Sequence, residues 1–362
     1  MSTEATLTPG LILFILETST KGYDMLRVAI IGVTGYGGEE LLRLLADHPK
    51  TELTYAAASA RFERRVPLTE LYPGVQAPAL MCGALDVAQA AQLSDVCLLA
   101  LPHGQAMAIV PALLKSGRKI VDLSGDFRLR DPAAYDRWYH APHAAPSLLS
   151  EAVYGLSEFF REQIRHARLV ANPGCYATSV LLGTLPLLER VMPSGPVIVD
   201  AKSGYSGAGR EAAKKFQADE TGNLRPYKPL DEHQHLAEIL QTITQVTGRE
   251  VPLVFTPHIV PTERGLLSDL YIRLSSGVTA DAVRELYAAR YQCEPFVRWR
   301  GTDGLPSFKD VARSNRCDLG MKAGAEMLLI VSALDNLRKG AASQAIQNMN
   351  LMCGFDEATG LH

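Results

Sequence analysis

The stretch Leu26-Arg27-Val28-Ala29-Ile30-Ile31-Gly32-Val33-Thr34-Gly35-Tyr36-Gly37-Gly38 sets the architecture of the amino-terminal half of this 362-residue chain. Its apolar start predicts a short buried strand, and the leucine-rich residues 39–46 predict a helix. The three glycines between them are typical of a dinucleotide-binding turn. Gly32 permits the tight turn, Gly35 lets the backbone approach a pyrophosphate, and Gly38 allows close packing of the helix on the strand. A plain tight turn is the alternative interpretation.

Strands and helices alternate after this turn. Apolar strands are predicted over 53–58, 94–101 and 119–123, with a helix over 105–115. This alternation favours a parallel, doubly wound sheet, whose ligands bind at the carboxyl ends of the strands. Pro102 follows one such end, and we expect it to line a cofactor site.

The end of the predicted strand 53–58 indicates which nicotinamide cofactor binds. NAD-binding chains usually carry an Asp or Glu here to bind the ribose hydroxyls. Ser59 and Arg61 stand in that place instead, and they suit the 2′-phosphate of NADP. Arg64 and Arg65 are alternatives for the same role, and a solvated basic loop is the interpretation without a ligand.

The segment 131–150 is rich in Tyr, Pro and His and is predicted to be irregular. We expect its histidines, His140 and His143, at the surface. Arg128, which precedes the segment, is predicted either to bind a substrate anion or to form a buried ion pair with Asp126.

One cysteine follows a sharp turn in Asn172-Pro173-Gly174-Cys175. Asn-Pro-Gly cannot continue a strand, and residues 176–190 have the length and periodicity of a buried helix. Cys175 is therefore expected in the first helical turn, where free N–H groups and the helix dipole favour an anion. We expect this position to lower the pKa of the thiol below about 8.5 and make it nucleophilic. A buried structural cysteine is the alternative.

The second half of the chain adds anion-binding and acid–base candidates. A glycine- and serine-rich loop over 202–210, with a cation at each end, suits a phosphate, unless it is only a flexible loop. His233 and His235 open a helix predicted over 236–245, and Glu238 shares a helical face with His235 and can orient its imidazole. An H-x-H pair can also bind a metal, but nothing nearby completes a zinc spacing, so we predict no metal site.

Arg264 lies at a predicted bend between two strands and is expected to bind a carboxylate, with a surface arginine as the alternative. A mixed α+β second domain is predicted, followed by a final helix over 334–350 that packs back on the first domain. The elements predicted for the second domain are strands over 196–201, 255–261 and 267–274, a helix over 279–291, and strands near 296–299 and 325–333.

Composition and charge limit the class of protein. The length favours two domains, and 47% hydrophobic with 21% charged residues is typical of a soluble globular protein. A net charge of −3 gives no support to a nucleic-acid or membrane partner. Six cysteines without a C-x-x-C pair favour reduced thiols in the cytoplasm. Residues 1–24 are expected to be a dispensable extension, with Met25 as the functional start.

These residues together indicate a reaction. A nucleophilic cysteine beside a nicotinamide can hold an acyl group as a thioester while hydride arrives or leaves. A free carboxylate is a poor electrophile, so the reductive direction requires an activated acid. The additional anion-binding positions favour an acyl phosphate.

Five motifs resemble those of one family and occur in this order: Gly32-x-x-Gly35-Tyr36-Gly37-Gly38, Asn172-Pro173-Gly174-Cys175-Tyr176, Ser203-Gly204-Tyr205-Ser206-Gly207-Ala208-Gly209-Arg210, His233-x-His235-x-x-Glu238-Ile239 and Asp335-Asn336-Leu337-Arg338-Lys339-Gly340. From Met25 to its end the chain closely resembles the N-acetyl-gamma-glutamyl-phosphate reductases of the aspartate-semialdehyde dehydrogenase superfamily. The resemblance implies an α/β fold, with a Rossmann-type parallel-sheet domain and a glyceraldehyde-phosphate-dehydrogenase-like α+β catalytic domain. It also implies a homo-oligomer, either a tetramer or a dimer.

The reaction implied by the resemblance is NADPH-dependent reductive dephosphorylation of N-acetyl-L-glutamyl 5-phosphate. The products are N-acetyl-L-glutamate 5-semialdehyde and phosphate, in arginine biosynthesis. A related reductase acting on carrier-linked aminoadipyl phosphate or aspartyl phosphate is the second hypothesis. A non-catalytic NADP-binding regulator is the third.

The resemblance and the residue-level arguments together predict domain limits and roles. We expect an NADP-binding domain over 25–174 with 336–362, and a catalytic and oligomerisation domain over 175–335. Cys175 is the expected nucleophile, and His235, oriented by Glu238, is the expected acid and base, with His233 as the fallback. The residues expected to bind the cofactor are Gly32, Thr34, Gly35, Tyr36, Gly37, Gly38, Ser59, Arg61, Pro102, Ser206, Gly207 and Asn336. The residues expected to bind substrate are Asn172, Arg128, Ser203, Arg210 and Arg264.

Overall fold

The structure is a computed structural model that describes residues 25–58, 62, 64–210, 213–214, 216 and 223–362. The predicted extension over 1–24 and the predicted cofactor residues Ser59 and Arg61 lie outside the described residues.

The elements are numbered in chain order. The strands are β1 (Leu26–Ile31), β2 (Thr51–Ala57), β3 (Val66–Pro67), β4 (Met81–Cys82), β5 (Val96–Leu99), β6 (Lys119–Asp122), β7 (Val153–Tyr154), β8 (Leu169–Ala171), β9 (Val197–Gly204), β10 (Arg225–Pro226), β11 (Leu253–Val260), β12 (Leu266–Arg273), β13 (Val297–Trp299), β14 (Cys317–Ala323) and β15 (Met327–Leu334). The helices are α1 (Tyr36–Ala46), α2 (Leu68–Leu71), α3 (Val87–Leu93), α4 (Ala106–Lys115), α5 (Pro132–Tyr139), α6 (Ser157–His166), α7 (Cys175–Leu188), α8 (His235–Thr247), α9 (Ala280–Tyr291), α10 (Phe308–Val311) and α11 (Ser343–Met352).

The first sheet is parallel throughout, with the strand order β2-β1-β5-β6-β8-β7. Its central strands are buried on both sides, which is why they read as continuous apolar runs in the sequence. The predicted parallel, doubly wound sheet is therefore confirmed, and β1 has the predicted limits.

The prediction of an irregular segment over 131–150 is wrong, because the segment contains α5. The Asp131 side chain accepts a hydrogen bond from the Ala133 amide, and Pro132 occupies the first helical position, so ordinary helix-start signals were present. His140 is exposed as expected, but His143 is buried, with its Nε2 2.8 Å from the Asp126 carbonyl oxygen.

The second sheet is mixed, with the strand order β10-β11-β9-β12-β15-β14-β13. Helix α7 packs across it, and every residue of this helix is buried except Cys175, which is half-buried. Gly183 permits the close approach, because a Cβ there would lie 2.3 Å from Leu270 Cδ1. Strand β14 was not predicted, since Asp318 and Gly320 interrupt its apolar pattern. Asp318 is buried and pairs with Arg298 and Arg316.

The carboxyl-terminal segment returns to the first sheet, as predicted. It begins with a π-helical turn over Arg338–Ala342 and continues as α11, which contacts α6, α1 and β6. All ten residues of α11 are buried, although several are polar. Most of these polar side chains bond to the protein: Asn348 Nδ2, for example, donates to the Asn172 Oδ1 atom and to the Gly155 carbonyl oxygen.

Candidate active site

Cys175 is the first residue of α7, directly after the extended cap residue Gly174. The predicted position at a helix head is confirmed. The predicted lowering of the thiol pKa is wrong, because burial raises the pKa of Cys175 to about 11. Arg128 and the backbone amides of Cys175 and Tyr176 act in the opposite direction, but they are outweighed by desolvation. Conversion of the thiol to a thiolate therefore requires a base.

Arg128 holds the cysteine turn in place. Its Nε donates to the Asn172 carbonyl oxygen at 2.8 Å and its Nη2 to the Leu123 carbonyl oxygen at 2.8 Å. Its Nη1 lies 3.4 Å from Glu238 Oε1 and 3.5 Å from His235 Nε2. Arg128 is only 5% exposed.

The alternative prediction, an ion pair between Arg128 and Asp126, is wrong. Asp126 instead accepts hydrogen bonds from the amides of Gly104 and Met107, at the start of α4, and from the Tyr135 hydroxyl. These three donors satisfy the Asp126 carboxylate, and the buried partner of Arg128 is Glu238.

Glu238 lies beside His235, as the helical spacing predicted, but it does not hydrogen-bond to the imidazole. The distance from His235 Nε2 to Glu238 Oε1 is 3.8 Å, which is too long for a hydrogen bond. Glu238 Oε2 accepts instead from the Gly174 amide at 3.4 Å and from the Tyr154 hydroxyl at 3.2 Å. Burial raises the pKa of Glu238, and Arg128 offsets this only in part.

The two histidines occupy different depths. His235 contacts the cysteine turn, since a Cβ on Gly174 would lie 2.3 Å from its Nε2. His233 lies behind it, with its Nδ1 accepting from the His235 amide at 3.1 Å and its Nε2 3.3 Å from the Tyr227 hydroxyl. Burial lowers the pKa of both histidines, so both imidazoles are neutral. Of the two, His235 is the one placed against Cys175's turn.

Sequence reasoning missed three side chains around this cluster. Tyr154 donates to Glu238, and the Tyr139 hydroxyl packs so closely on Gly125 that a Cβ there would lie 2.0 Å from it. Lys228 is exposed, has a φ of 44° and lies close enough to His233 and His235 to lower their pKa values. The positive φ and the long-range contacts leave no signal in the local sequence.

The glycine turn has the shape that a pyrophosphate requires. Gly32 has a φ of 99°, and a Cβ there would lie 2.2 Å from the Ala100 carbonyl oxygen. A Cβ on Gly38 would lie 2.2 Å from the Gly32 carbonyl oxygen. Gly35 caps α1 without a side-chain hydrogen bond, so the amides at the helix head remain available for an anion. These residues fit a dinucleotide.

A second loop meets the glycine turn. The Asn336 Nδ2 atom donates to the Ser206 Oγ at 2.9 Å, and a Cβ on Gly207 would lie 3.6 Å from the same Nδ2. The Arg210 guanidinium lies 4.7 Å from the centroid of the Tyr36 ring and pairs with Glu39. The structure thus brings together residues predicted to bind a cofactor from distant parts of the sequence.

The remaining predicted residues lie around these two centres. Asn172 is satisfied by protein, since its Nδ2 donates to the Ala341 carbonyl oxygen at 3.1 Å and its Oδ1 accepts from Asn348. The Ser203 Oγ is 3.1 Å from the Gly204 carbonyl oxygen. Arg264 pairs with the buried carboxylate of Glu40. Thr34 and Gly37 lie in or next to the glycine turn, and Pro102 follows β5, with its carbonyl oxygen accepting from the Gln105 amide.

Within the described residues there is no group of three or more His, Cys, Asp or Glu side chains placed to hold a metal ion. No helix in that part of the chain is long and apolar enough to cross a membrane.

Residues 27–167 match the family described as "Semialdehyde dehydrogenase, NAD binding domain", and residues 175–336 match "Semialdehyde dehydrogenase, dimerisation domain". Among solved structures, aspartate semialdehyde dehydrogenase II from Vibrio cholerae, complexed with ASA, has a TM-score of 0.70 at 17% identity, covering 91% of this chain and 98% of that one. The Candida albicans aspartate semialdehyde dehydrogenase with NADP has a TM-score of 0.66 at 13% identity, with the same coverage. These structures show the fold.

Relatives of higher identity share one name. A protein of Magnetococcus marinus is 46% identical over 93% of this chain and 97% of its own length. One of Symbiobacterium thermophilum is 44% identical over the same shares, and one of Nitrosococcus oceani is 46% identical over 93% and 98%. Each is called N-acetyl-gamma-glutamyl-phosphate reductase.

Proposed function

The chain belongs to the N-acetyl-gamma-glutamyl-phosphate reductase family, and we propose that its reaction runs through a thioester on Cys175 with His235 as the acid and base. It reduces N-acetyl-L-glutamyl 5-phosphate to N-acetyl-L-glutamate 5-semialdehyde and phosphate, a step of arginine biosynthesis. The single observation that supports the residue roles is the packing of His235, Arg128 and Glu238 around the turn that carries Cys175.

The first step needs a proton acceptor, because burial raises the pKa of the Cys175 thiol to about 11. His235 contacts that turn and its imidazole is neutral, so it can take the proton. The thiolate sulfur then bonds to the acyl carbon. The carbonyl oxygen becomes an oxyanion that the free amides at the head of α7 can stabilise.

Collapse of this intermediate breaks the bond between the acyl carbon and the phosphate oxygen, so phosphate leaves and a thioester remains on Cys175. A nicotinamide, when bound in the cofactor site, would supply the hydride that reduces the acyl group. When the resulting thiohemiacetal oxyanion collapses, the aldehyde C=O forms and the Cys175 thiolate is released. His235 can then return its proton to the sulfur.

Arg128 and Glu238 support this chemistry through the groups that they bind. Arg128 bonds to the Asn172 carbonyl oxygen and lies 3.5 Å from His235 Nε2, so it fixes both the turn and the imidazole. Its positive charge adds to burial in disfavouring an imidazolium, so His235 is neutral before the thiol proton is transferred.

The cofactor is a nicotinamide dinucleotide, and the proposal is that it is NADP. Strand β2 ends at Ala57 and is followed by Ala58, so no carboxylate stands at this position for the ribose hydroxyls. Ser59 and Arg61 remain the proposed partners of the 2′-phosphate, with the exposed Arg64 and Arg65 as alternatives.

The match to a dimerisation domain supports a homo-oligomer, and the proposal extends this to a dimer or tetramer of a cytoplasmic enzyme. The proposed domain division remains 25–174 with 336–362, and 175–335. The close packing of Asn336 on Ser206 supports a cofactor site formed at the junction of these two parts.

The test is phosphate-dependent reduction of NADP by N-acetylglutamate 5-semialdehyde, with NAD in parallel. Cys175→Ser should reduce kcat by about 10³-fold or more, since an alcohol of much higher pKa replaces the nucleophilic sulfur. As a control, the variant should unfold at the same temperature as the wild type. Full activity in Cys175→Ser would exclude the thioester route. If the enzyme turned over only an aminoadipyl or aspartyl semialdehyde, that compound would be assigned as the substrate instead.

A further inference from the structure

We infer that Glu40 and Arg264 are positioning residues that hold the two halves of the cofactor site together. The inference deepens the proposed function and rests on it. The first half is the glycine turn at the head of α1, and the second comprises Ser206, Gly207 and Asn336. Glu40 lies on α1, two residues after Gly38, and is only 1% exposed.

Glu40 accepts two charge-assisted hydrogen bonds from residues that are distant in the sequence. Its Oε2 accepts from Arg264 Nη2 at 2.5 Å, and its Oε1 accepts from Arg338 Nε at 2.7 Å. Burial alone would raise its pKa, but the two guanidinium groups keep the pKa below the ordinary value of 4.5. Glu40 is therefore charged, and each of its oxygens bonds to an arginine that lies near the second half of the site in sequence or in space.

Arg264 belongs to the turn that orients Ser206 and Asn336. The Glu263 carbonyl oxygen accepts from the Ser206 amide at 3.2 Å and from the Ser206 Oγ at 2.6 Å. The Gly265 amide donates to Asn336 Oδ1 at 2.9 Å. The residues on either side of Arg264 thus determine where the Ser206 hydroxyl and the Asn336 amide lie.

Arg338 gives a second connection from Glu40 to the same point. It follows Asn336 by two residues, and its amide and that of Leu337 donate to Asp335 Oδ1. Asp335 Oδ2 also lies 3.6 Å from Arg264 Nη1. Both connections end at Asn336, so a displacement of Glu40 would shift Asn336 relative to the glycine turn.

The charges of this cluster balance, since Arg264 and Arg338 face Glu40 and Asp335. The sequence predicted that Arg264 would bind a substrate carboxylate. In the structure Glu40 supplies that carboxylate from within the chain, so the two hypotheses make different predictions for variants of Arg264.

The experiment measures the dissociation constants of NADPH and NADH by nicotinamide fluorescence, which needs no catalysis. Glu40→Gln and Arg264→Met should each weaken cofactor binding by about tenfold, and the double variant should bind no more weakly than either one, as expected for coupled residues. Arg264→Lys keeps the positive charge next to Glu40 and should recover most of the affinity. KM for the semialdehyde and for phosphate should change less than twofold.

The matched control is Glu158→Gln. Glu158 is an equally buried carboxylate that bonds to Lys339, and none of its contacts reaches Ser206 or the glycine turn within the described residues. We expect it to lower the melting temperature and leave the dissociation constant of NADPH unchanged. This separates positioning of the cofactor from general loss of stability.

Three results would count against the inference. Unaltered NADPH binding in Glu40→Gln would overturn it. The inference would also fail if Arg264→Met bound NADPH normally but had a raised KM for the semialdehyde. That result would assign Arg264 to substrate binding. If the wild type bound neither nucleotide, the proposed function itself would fail, and the inference with it.

Discussion

Among the buried ion pairs of the described residues, Glu158–Lys339 and Glu238–Arg128 differ in geometry. Lys339 Nζ lies 2.6 Å from Glu158 Oε1, whereas Arg128 Nη1 lies 3.4 Å from Glu238 Oε1. Burial raises the pKa of both carboxyl groups, but the close ammonium lowers the pKa of Glu158 below its ordinary value overall. The pKa of Glu238 stays raised, because Arg128 is farther away.

The difference follows from what else each cation binds. Lys339 donates to Glu158 and to the Gln347 side chain, so its charge is directed at the carboxylate. Arg128 uses its Nε and Nη2 on two backbone carbonyls of the cysteine site, and only Nη1 is left for Glu238. A tight pair therefore stabilises the carboxyl-terminal segment, while a loose pair leaves a protonatable carboxyl next to the turn that carries Cys175.

The largest effect is expected when a substitution breaks the tight pair between Lys339 and Glu158. Lys339→Met leaves the Glu158 charge buried without its cation, and we expect the free energy of unfolding to fall by about 3–5 kcal/mol. Urea titration measures the loss, and kcat of the folded fraction should remain within a few-fold of the wild type. Lys339→Met combined with Glu158→Leu should recover part of the stability. A loss below about 1 kcal/mol would show that the pair is not what holds this segment.

The next largest effect is expected when a substitution breaks the loose pair between Arg128 and Glu238. Arg128→Met should lower kcat/KM by about 100-fold or more, because the cysteine turn and His235 lose their common anchor. The free energy of unfolding should fall by only about 1–2 kcal/mol, since Glu238 can take up a proton instead of remaining charged. The same assay and titration measure both. A stability loss as large as that of Lys339→Met, with activity kept, would remove the distinction between the pairs.

The smallest expected effect is on the pH dependence of stability. The contributions of Glu238 and Glu158 should change with pH in opposite directions. The raised pKa of Glu238 contributes stability below the ordinary value of 4.5, and this contribution is lost as the pH rises through the folded pKa. The lowered pKa of Glu158 contributes stability above 4.5, and this contribution is lost as the pH falls through the folded pKa.

The test is to measure the free energy of unfolding across pH 3–7 for the wild type, Glu238→Gln and Glu158→Gln. This range of pH surrounds the ordinary carboxyl pKa of about 4. The wild-type advantage over Glu238→Gln should shrink as the pH rises, and the advantage over Glu158→Gln should grow. Neither slope can exceed about 1.4 kcal/mol per pH unit for one proton. Slopes of the same sign would contradict the comparison.

Features that depend on local backbone chemistry were predictable from the sequence. The glycine turn after β1 and the cap before Cys175 both appear where the residue types place them, because φ restrictions and helix starts act over a few residues. Helix α5 was missed although Asp131 and Pro132 marked its start, because its polar and aromatic composition hid the helical period.

Features that depend on the assembled fold were not predictable. The thiol pKa follows from burial of Cys175 by several distant elements, and this outweighed the helix head on which the prediction relied. The partners of Arg128 and Arg264 are separated from them by 110 and 224 residues. Several acidic residues competed for each arginine, and only tertiary packing selects Glu238 and Glu40.

The buried helix α11 also bears on the order of events during protein synthesis. The hydrogen bond from Asn348 to Asn172 joins residues 176 positions apart, and Asn172 is part of the turn that carries Cys175. A ribosome therefore releases the cysteine turn long before it makes the helix that fixes Asn172. Until α11 has been made, a nascent chain lacks the hydrogen bond from Asn348 to Asn172.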